Sequence, residues 1–313
     1  MTTEAPKRSG FRHEAFFYAD SDEFLAETVP FVEEGIYAGD RVFVVLPEPR
    51  LELVRQVLGT SAEEVEFLPM EKVGRNPARL VSACGDLLRD READQRVRGL
   101  GEPIWAGRSA AELDECERHE RLLNLAFGEE QRANLALMCP YDASALDDEV
   151  LAKARRSHPH CTDPRGTSHS TQFAPGNPLE GSLPEREVPA ATLGFGKSDL
   201  RTVRRAVTDL ACSAGLDQRR SEDLVLAVCE VAVNSIQHGG GGGCLAIWRD
   251  DAELVCDLRD GGQISDPLAG RERPSVDQSG GRGLWIVNQL CDLVQIRSGA
   301  QGTHVRLRMK IQA

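Results

Sequence analysis

The stretch EVAVNSIQH, residues 230–238, decides the fold predicted for the C-terminal part of the chain. It lies in a predicted helix, residues 217–239, which has an apolar stripe at helical spacing and a glycine at its end. Glu230, Asn234 and His238 follow one another at four-residue intervals, so they share a second face of this helix. When Glu230 and Asn234 are considered alone, an ordinary solvated face explains them equally well.

The side chains on this face suit chemistry that involves magnesium. A carboxylate and an amide oxygen one turn apart are ligands for Mg2+, because this ion prefers oxygen and usually keeps several waters. A carboxylate in this place is also suited to accept a proton from an attacking hydroxyl group. Glu230 and Asn234 are therefore candidate site residues.

Two further glycine motifs follow in the chain. DGG at residues 260–262 ends a predicted strand, residues 253–259, in which apolar side chains alternate. An ordinary Asp-Gly turn is the alternative interpretation. GGRG at residues 280–283 precedes a predicted buried helix, residues 284–290, and such a loop offers backbone N–H groups and the positive helix end to phosphates.

The segment between these motifs is polar. Residues 266–279 are predicted to form a short mobile lid. Arg271, Arg273 and Arg282 are candidate contacts for a triphosphate, and ordinary surface arginines are the alternative. Residues 293–309 predict a closing hairpin.

In this order and within one predicted domain, the three motifs resemble the ATP site of the GHKL superfamily, which has the Bergerat α/β-sandwich fold. The resemblance implies ATP and Mg2+ as ligands, with magnesium on Asn234, adenine on Asp260 and the general base at Glu230. The nucleotide contacts that it implies are Asn234, His238, Asp260, Gly262, Gly281, Arg282, Gly283 and Thr303. The chain departs from the family's D-x-G-x-G pattern at Ile264, where the second glycine is expected, and this changes the geometry expected near the lid.

Composition excludes several classes of protein. The 313 residues suffice for two domains of ordinary size. A net charge of -13 disfavours non-specific binding to nucleic acid. No stretch approaches the roughly 18 apolar residues of a membrane span, and the sequence MTTEAPKRSG lacks the apolar core of a secretion signal. The nine cysteines are scattered without a C-x-x-C pair, which predicts reduced thiols in a cytoplasmic protein.

The first half of the chain alternates predicted strands and helices. This alternation predicts a mainly parallel α/β sheet covered on both faces. The predicted strands are residues 13–19, 41–47, 97–104 and 134–140. The predicted helices are residues 23–35, 50–58, 79–92, 110–127 and 147–155. The sequence G-x-x-x-x-G-K-[ST] does not occur, so a working P-loop is excluded.

Short motifs of this half resemble the MEDS domain, a bacterial sensory module related to RecA- and KaiC-like folds. They are HEAFFY (13–18), PFVEEG (30–35), GDRV (39–42), CERHERLLN (116–124) and CPYD (139–142). The resemblance implies a ligand pocket at the carboxyl ends of the strands, where open α/β sheets bind ligands. The candidate lining residues are His13, Tyr18, Trp105, Glu117 and Tyr141, each of which an ordinary core or surface role also explains. His119-Glu120 lacks the proline of a histidine-kinase phosphoacceptor box and is interpreted as helix surface.

The domain organisation follows from these patterns. We predict a MEDS-like sensory domain at residues 1–157, a flexible linker at 158–188 and a histidine-kinase-like ATP-binding domain at 189–313. The linker is rich in proline, glycine and serine and has little apolar periodicity. It contains His158, His160, Cys161 and His169. Their spacing matches no zinc module, and a flexible linker does not hold ligands in place, so no metal site is predicted there.

The two halves together resemble the RsbA-type anti-sigma regulatory proteins of actinobacteria. DPLAGR (266–271) and GRGLWIVNQLCD (281–292) strengthen this resemblance. It implies a cytoplasmic switch that binds ATP and Mg2+. Such a switch sequesters a stress-type sigma factor, or phosphorylates a serine of an anti-anti-sigma partner as a protein serine/threonine kinase, or does both.

The partners so implied are a sigma factor, an anti-anti-sigma antagonist and an unidentified signal at the N-terminal domain, with a homodimer as an option. Direct contact with nucleic acid or membrane is not expected. One alternative is a non-catalytic, ATP-dependent protein-binding switch, which Ile264 favours. A histidine kinase is a second alternative, and it is disfavoured because no dimerisation helix with a phosphoacceptor histidine is predicted before Leu193.

Overall fold

The computed structural model describes residues 10–92, 95–128, 134–163, 165–174, 176–185, 190–275 and 280–311. The chain divides into two compact units. The first unit comprises residues 1–74 and 83–176, and the second comprises residues 75–82 and 177–313.

The first unit is built on a seven-stranded sheet. Its strands are β1 (Phe11–Tyr18), β2 (Arg41–Leu46), β3 (Val65–Pro69), β4 (Val97–Gly101), β5 (Leu135–Asp142), β6 (His160–Asp163) and β7 (Gly166–His169). Their order in the sheet is β3-β2-β4-β5-β1-β6-β7. All neighbouring strands pair in parallel except β6 and β7, which are antiparallel. The predicted mainly parallel sheet is confirmed, and it contains three strands, β3, β6 and β7, that the sequence analysis missed.

The described residues of this half of the chain form six α-helices. They are α1 (Ser21–Ala38), α2 (Glu48–Leu58), α3 (Met70–Val73), α4 (Ala78–Arg89), α5 (Ala110–Phe127) and α6 (Asp148–Ser157). Residues of α1 and α2 pack with Phe16 and Tyr18 of β1 on one face of the sheet. Residues of α5 and α6 pack with Ala15 and Phe17 on the opposite face. Since successive side chains of a strand point to opposite faces, β1 contributes to both cores.

Helix α5 starts at a capping box. The Glu112 N–H donates to Ser109 Oγ at 3.3 Å, and the Ser109 N–H donates to Glu112 Oε2 at 2.8 Å. Such reciprocal bonds satisfy two of the free N–H groups at a helix start. The cap therefore sets the position of a helix whose later turns carry Glu117 and Glu120.

Part of the predicted linker is regular structure. Strand β6 pairs with β1 through Glu14 and His160, and it continues as a hairpin into β7. The side chains of β7 are exposed, so this hairpin has no apolar alternation for a sequence pattern to detect. Its backbone groups pair with the edge of β1, which needs no particular side chain.

The second unit is a layer of helices on one antiparallel sheet. Its strands are β8 (Ala191–Gly196), β9 (Gly242–Asp250), β10 (Glu253–Asp260), β11 (Leu293–Gly299) and β12 (Gly302–Lys310), in the order β11-β12-β10-β9-β8. Its helices are α7 (Leu200–Ala214), α8 (Gln218–His238) and α9 (Arg282–Leu290). One core joins the helices to the sheet, for example through Val207, Val228, Val287 and Leu307. The predicted α/β sandwich is confirmed, with α7, β8 and β9 added.

Helix α8 has the start that its sequence predicts. Asp217 is the N-cap, and its Oδ1 accepts from the Arg220 N–H at 2.8 Å. Leu224, Val228 and Val231 are buried, as the apolar stripe predicts.

Within the described ranges, no helix combines the length and the apolar character that a bilayer span requires.

Candidate functional site

A cavity of about 440 Å³ lies in the second unit where α8, the end of β10 and the start of α9 meet. Seven of the residues predicted to contact nucleotide line it: Asn234, His238, Asp260, Gly262, Gly281, Gly283 and Thr303. The tertiary structure therefore gathers residues from α8, β10, α9 and β12 around one space. Glu230 and Arg282 are not among the lining residues in the described part of the chain.

The carboxylate of Asp260 is held on both oxygens. Ser235 Oγ donates to Asp260 Oδ2 at 2.6 Å, and the Gly262 N–H donates to Asp260 Oδ1 at 2.8 Å. An ionised carboxylate has about four acceptor sites, so these two bonds leave capacity for a ligand N–H. Asp260 is thus an oriented acceptor in the lining of the cavity.

Gly262, two residues after Asp260, lies where a side chain does not fit. A Cβ at this position would lie 2.6 Å from the carbonyl oxygen of His238 and 2.8 Å from Cα of Gly239. Both contacts are with backbone atoms, which cannot move aside as the end of a side chain does. The end of α8 and the turn after β10 therefore approach each other more closely than a side chain would allow.

Thr303 belongs to a chain of three hydrogen bonds. The Ile264 N–H donates to Ser298 Oγ at 2.8 Å, Ser298 Oγ lies 2.9 Å from Thr303 Oγ1, and Thr303 Oγ1 donates to the Gly262 carbonyl at 2.9 Å. A hydroxyl has one proton to donate. Since Thr303 gives its proton to Gly262, the Ser298 hydroxyl donates to Thr303.

Ile264 fits this arrangement in place of the glycine that the family pattern expects. Its backbone does not have the positive φ that favours glycine. Its side chain packs against the apolar core of the unit. The departure from D-x-G-x-G therefore adds a core contact without backbone strain. Ser298, which holds the Ile264 N–H, carries no sequence signal that would have singled it out.

Glu230 and Asn234 lie against the first turn of α9. A Cβ at Gly283 would be 2.8 Å from Glu230 Oε2 and 3.5 Å from Asn234 Nδ2. Gly283 therefore lets the backbone of α9 come close to the polar face of α8. Asn234 lines the cavity, while Glu230 lies at its border.

The start of α9 is open to a ligand. Its N-cap, Gly281, has a φ of 79°, which glycine adopts without strain, and no side chain of the described residues caps this helix. The first N–H groups of a helix lack partners within it and carry partial positive charge. This end of α9 is therefore suited to bind an anion such as phosphate.

The three arginines near this helix differ in position. Arg273 lines the cavity, whereas Arg271 is buried at 5% exposure. Arg282 is exposed, and its Nη2 donates to the Ser275 carbonyl at 3.3 Å, so it lies along the predicted lid. The base of this lid is fixed, because Asn288 Nδ2 donates to the Gly270 carbonyl at 2.8 Å. Residues 276–279 of the predicted lid lie outside the described residues.

The polarity of the cavity matches adenosine triphosphate with Mg2+. An oriented acceptor, Asp260, lines it and suits an amino group. The open start of α9 suits phosphates, and the oxygens of Glu230 and Asn234 beside it are ligands of the type that Mg2+ prefers. The residues present therefore fit the group that the motifs imply.

The five candidate residues of a sensory pocket do not all converge. His13 and Tyr141 lie on the α5/α6 face, and both rings contact His158, with centroid distances of 4.1 and 5.6 Å. Tyr18 lies on the opposite face of the sheet. Trp105 lies under the guanidinium of Arg108 at 4.0 Å. His13 and Tyr141 therefore lie together, Tyr18 lies on the other face, and one pocket lined by all five residues stays a prediction.

Glu117 is buried at 6% exposure, so the helix-surface alternative for it is wrong. Its carboxylate pairs with Arg121 and with Lys153. His119 and Glu120, also interpreted as helix surface, are 3% and 0% exposed. The physical reason is that α5 packs against the sheet and α6, which buries several faces of this charged helix at once.

A cluster of polar side chains that the sequence analysis missed lies around Tyr18. Tyr18 donates from its hydroxyl to Glu102 Oε1 at 3.0 Å, and Arg50 pairs with both Glu102 and Asp142. Burial raises the pKa of Glu102 to about 8, although Arg50 and Tyr18 oppose this shift. Burial and the charge of Glu102 raise the pKa of Tyr18 above its ordinary value. Glu102 and Arg50 are distant in sequence, and no motif joins them.

Comparisons with known proteins match the two halves of the chain to two different families. Residues 12–159 match the family described as MEDS: MEthanogen/methylotroph, DcmR Sensory domain. Residues 196–309 match the family described as Histidine kinase-like ATPase domain. No match is found among the curated proteins. The chain therefore joins a MEDS domain to a histidine kinase-like ATPase domain, and a domain of the latter type implies ATP binding.

Two solved structures are similar to parts of the chain. The RsbU and RsbW domains of Rv1364c from Mycobacterium tuberculosis are 21% identical with a TM-score of 0.30, and the match covers 39% of this chain and 32% of that one. The Acinetobacter baumannii histidine kinase AdeS is 12% identical with a TM-score of 0.25, over 41% of this chain and 71% of that one. The match thus spans about a third of the solved chain from Mycobacterium tuberculosis.

Proposed function

We propose that this protein is an ATP- and magnesium-dependent anti-sigma regulatory factor. Its ATPase domain would sequester a stress-type sigma factor, phosphorylate a serine of an anti-anti-sigma partner, or do both. Its MEDS domain would control this switch. The observation that carries the proposal is the single cavity that joins Asn234, Asp260, Gly281 and Gly283.

Each side chain has a role in this proposal. Asp260 accepts a hydrogen bond from the adenine amino group, with Thr303 and Gly262 beside it. Asn234 is the protein's oxygen ligand to Mg2+, and the start of α9 binds the phosphates. Bound ATP supplies the phosphoryl group, and transfer of that group requires little beyond positioning and neutralisation of charge.

Glu230 is the general base of the kinase form of this proposal. A base must lie within hydrogen-bond reach of the hydroxyl whose proton it accepts, either directly or through one water. Glu230 Oε2 lies against Gly283, at the end of the cavity where the phosphates would bind. A serine hydroxyl of a docked partner would approach from this side.

A non-catalytic, ATP-dependent binding switch is the second candidate. The position of Glu230 at the border of the cavity, rather than in its lining, favours it. In this form, ATP would change the affinity of the domain for its protein partner without transfer. A histidine kinase is disfavoured further, because His119 is 3% exposed and therefore hidden from a phosphate donor.

Control by the MEDS domain requires a signal that binds two states of the protein unequally. Such a signal would shift the population of the state that binds the sigma factor. The protein would bind this signal in the first unit.

The test is incubation of the full chain with ATP labelled on the γ-phosphate, Mg2+ and the sigma factor and antagonist that co-purify with it. Label on an antagonist serine is the result expected for the kinase. Stable ATP-dependent complex formation without label on any protein supports the binding switch instead. Label on a histidine of the chain itself, or ATP binding with no partner complex, contradicts the proposal.

A further inference from the structure

Four buried side chains with metal-ligating atoms converge in the first unit. They are His13 of β1, Glu120 of α5, Cys139 of β5 and His158, which follows α6. Their exposed fractions are 0%, 0%, 4% and 0%. Their four ligating atoms all lie within 4.8 Å of one another. We call these residues the quartet.

Three distances within the quartet match the edges of a coordination tetrahedron. Glu120 Oε2 lies 3.6 Å from Cys139 Sγ and 3.4 Å from His158 Nε2, and Cys139 Sγ lies 3.5 Å from His13 Nε2. Zinc bonds of roughly 2.0–2.3 Å in tetrahedral geometry place neighbouring ligand atoms about 3.3–3.8 Å apart. The contact between His13 Nε2 and Glu120 Oε2 is shorter, at 2.9 Å, and all six distances lie within 4.8 Å.

Outer hydrogen bonds orient the ring of His13. Asn124 Nδ2 donates to the Glu120 carbonyl at 3.1 Å and to the Ser157 carbonyl at 2.7 Å, which identifies Asn124 Oδ1 as the acceptor atom. His13 Nδ1 lies 3.0 Å from this oxygen and therefore carries a proton that it donates. In the neutral ring, Nε2 of His13 then presents its lone pair to the quartet.

His158 is oriented in the same way. Its Nδ1 lies 2.9 Å from the Ala154 carbonyl, which only accepts, so Nδ1 carries the proton. Its Nε2 faces Glu120 and, like Glu120 Oε1, is buried without a hydrogen-bond partner among the residues that the structure describes. Metal-bound histidines have this arrangement, with one nitrogen on the ion and the other ring N–H held by a carbonyl or similar acceptor.

Lone pairs that face a carboxylate in a dry space need a proton or a metal ion between them. One proton serves only one of the two histidines, and two protonated histidines would leave a buried group with net positive charge, since the quartet has a single carboxylate and a thiol. One divalent ion with a carboxylate and a thiolate leaves the group neutral, and a buried charge is costly unless it is compensated. The donor set of two nitrogens, one oxygen and one sulfur is of the type that binds zinc.

We propose that the quartet is a zinc site of the MEDS domain, with His13, Glu120, Cys139 and His158 as its four protein ligands. Four ligands complete a tetrahedron, and zinc sites closed in this way are structural. The ion would tie β1, β5 and α5 to the chain that follows α6. The site is independent of the nucleotide site and of the function proposed for it.

The test uses the full chain after removal of any affinity tag. Its zinc content as isolated is measured by mass spectrometry, with one zinc per chain expected. Zinc is then removed with a chelator and replaced by Co2+. The expected spectrum has the strong visible bands of tetrahedral Co2+ and a near-ultraviolet thiolate-to-cobalt charge-transfer band.

Variants assign the ligands. Cys139→Ser should abolish the charge-transfer band. Cys116→Ser is the matched control, because Cys116 is equally buried but donates its thiol proton to the Pro103 carbonyl at 3.1 Å. Asn124→Ala removes the outer partner of His13 and should weaken metal binding by about 10–100-fold while it keeps the charge-transfer band.

Three results would overturn the proposal. One is a wild-type chain that holds no stoichiometric zinc and gives no charge-transfer band with Co2+, which would identify the quartet as a proton-linked network. Another is an equal loss of the band in Cys116→Ser and Cys139→Ser. A third is a Cys139→Ser variant that folds, as shown by circular dichroism, and keeps the band. If Cys139→Ser does not fold, the wild-type zinc content and cobalt spectrum still decide.

Discussion

Ser235 of α8 donates a hydrogen bond of 2.6 Å to Asp260 at the end of β10. Ser235 is 1% exposed, so this bond is protected from water. With the Gly262 N–H on the other carboxylate oxygen, it sets the direction of Asp260 before any ligand arrives. A site held in this way loses little entropy when it binds its ligand.

Asp260→Asn should weaken ATP binding. A hydrogen bond from a neutral group to a charged one contributes roughly 1.5–3 kcal/mol, which corresponds to a loss of about 10–150-fold in affinity. Isothermal titration calorimetry measures the change. Asp251→Asn is the control, because Asp251 lies in an exposed turn with a φ of 48°, which asparagine tolerates. Equal ATP affinity of Asp260→Asn and wild type would refute the adenine assignment.

Ser235→Ala should weaken ATP binding through Asp260 alone. The variant removes the hydroxyl that orients the carboxylate, so we expect a smaller loss of affinity than for Asp260→Asn. Residues in one hydrogen-bond network are not additive. The double variant should therefore bind ATP about as weakly as Asp260→Asn, as measured in the same titrations. Full additivity of the two losses would show that Ser235 acts independently of Asp260.

Glu230→Gln and Asn234→Ala should separate chemistry from binding. Glu230→Gln should keep ATP affinity and lower phosphoryl transfer by about 100-fold or more, as expected when a general base is removed. Asn234→Ala should lower the affinity for ATP in Mg2+ as well as any transfer. Nucleotide titrations with and without Mg2+, together with transfer to the partner serine, measure both effects. Full transfer by Glu230→Gln would exclude Glu230 as the base.

Asp257→Asn should lower the stability of the second unit at neutral pH. Burial raises the pKa of Asp257, but His304 and Arg306 outweigh this effect and lower it from 3.8 to about 2. The ionised carboxylate therefore stabilises the fold above pH 4, by about 1–2 kcal/mol, and this contribution is lost as pH falls from about 4 to 2.

Thermal unfolding followed by circular dichroism at several pH values tests the direction of this pH dependence. The melting temperatures of wild type and Asp257→Asn should differ at pH 7 and converge as the pH falls towards 2. Asp209→Asn is a matched control, since its side chain is 69% exposed. A difference that grows on acidification would contradict the assignment.

Leu179→Ala should destabilise the second unit, although Leu179 lies in the segment predicted as a flexible linker. Its side chain belongs to the core of this unit, and its carbonyl accepts from the Ser298 N–H at 3.0 Å. Removal of a buried leucine typically costs about 2–5 kcal/mol, and we expect a value near 2 because Leu179 keeps 9% exposure. Leu226→Ala, at 45% exposure, is the control in denaturant titrations. Equal stability of the two variants would support a free linker instead.

Local patterns predicted most helices and strands. The four-residue spacing of Glu230, Asn234 and His238 placed them on one face of α8, and the order of the motifs indicated the ATPase class. The sequence analysis did not predict α7, β8 or β9. Glycines dominate the start of β9, and glycine carries no side chain from which a strand pattern can be recognised.

Contacts between distant segments were beyond any local pattern. The interpretation of His119 and Glu120 as helix surface failed, because it considered α5 by itself and not the elements that cover it. The hairpin of β6 and β7 was missed since its exposed side chains resemble those of a linker. His158 was assigned to that linker with His160 and His169, whose rings lie 4.4 Å apart on the hairpin, whereas His158 turns into the interior.

The sequence by itself determined the domain class of each half, the extent of α8 and the residues on its faces, and the three motifs of the nucleotide site. These features depend on helical and strand periodicity and on turn chemistry, which act over a few residues. Only the tertiary structure decided that Ser235 orients Asp260, that Ser298 holds Ile264 and that the quartet meets at one point. His13 and Glu120 are 107 residues apart in the chain, and packing of β1 against α5 is what brings their side chains to 2.9 Å.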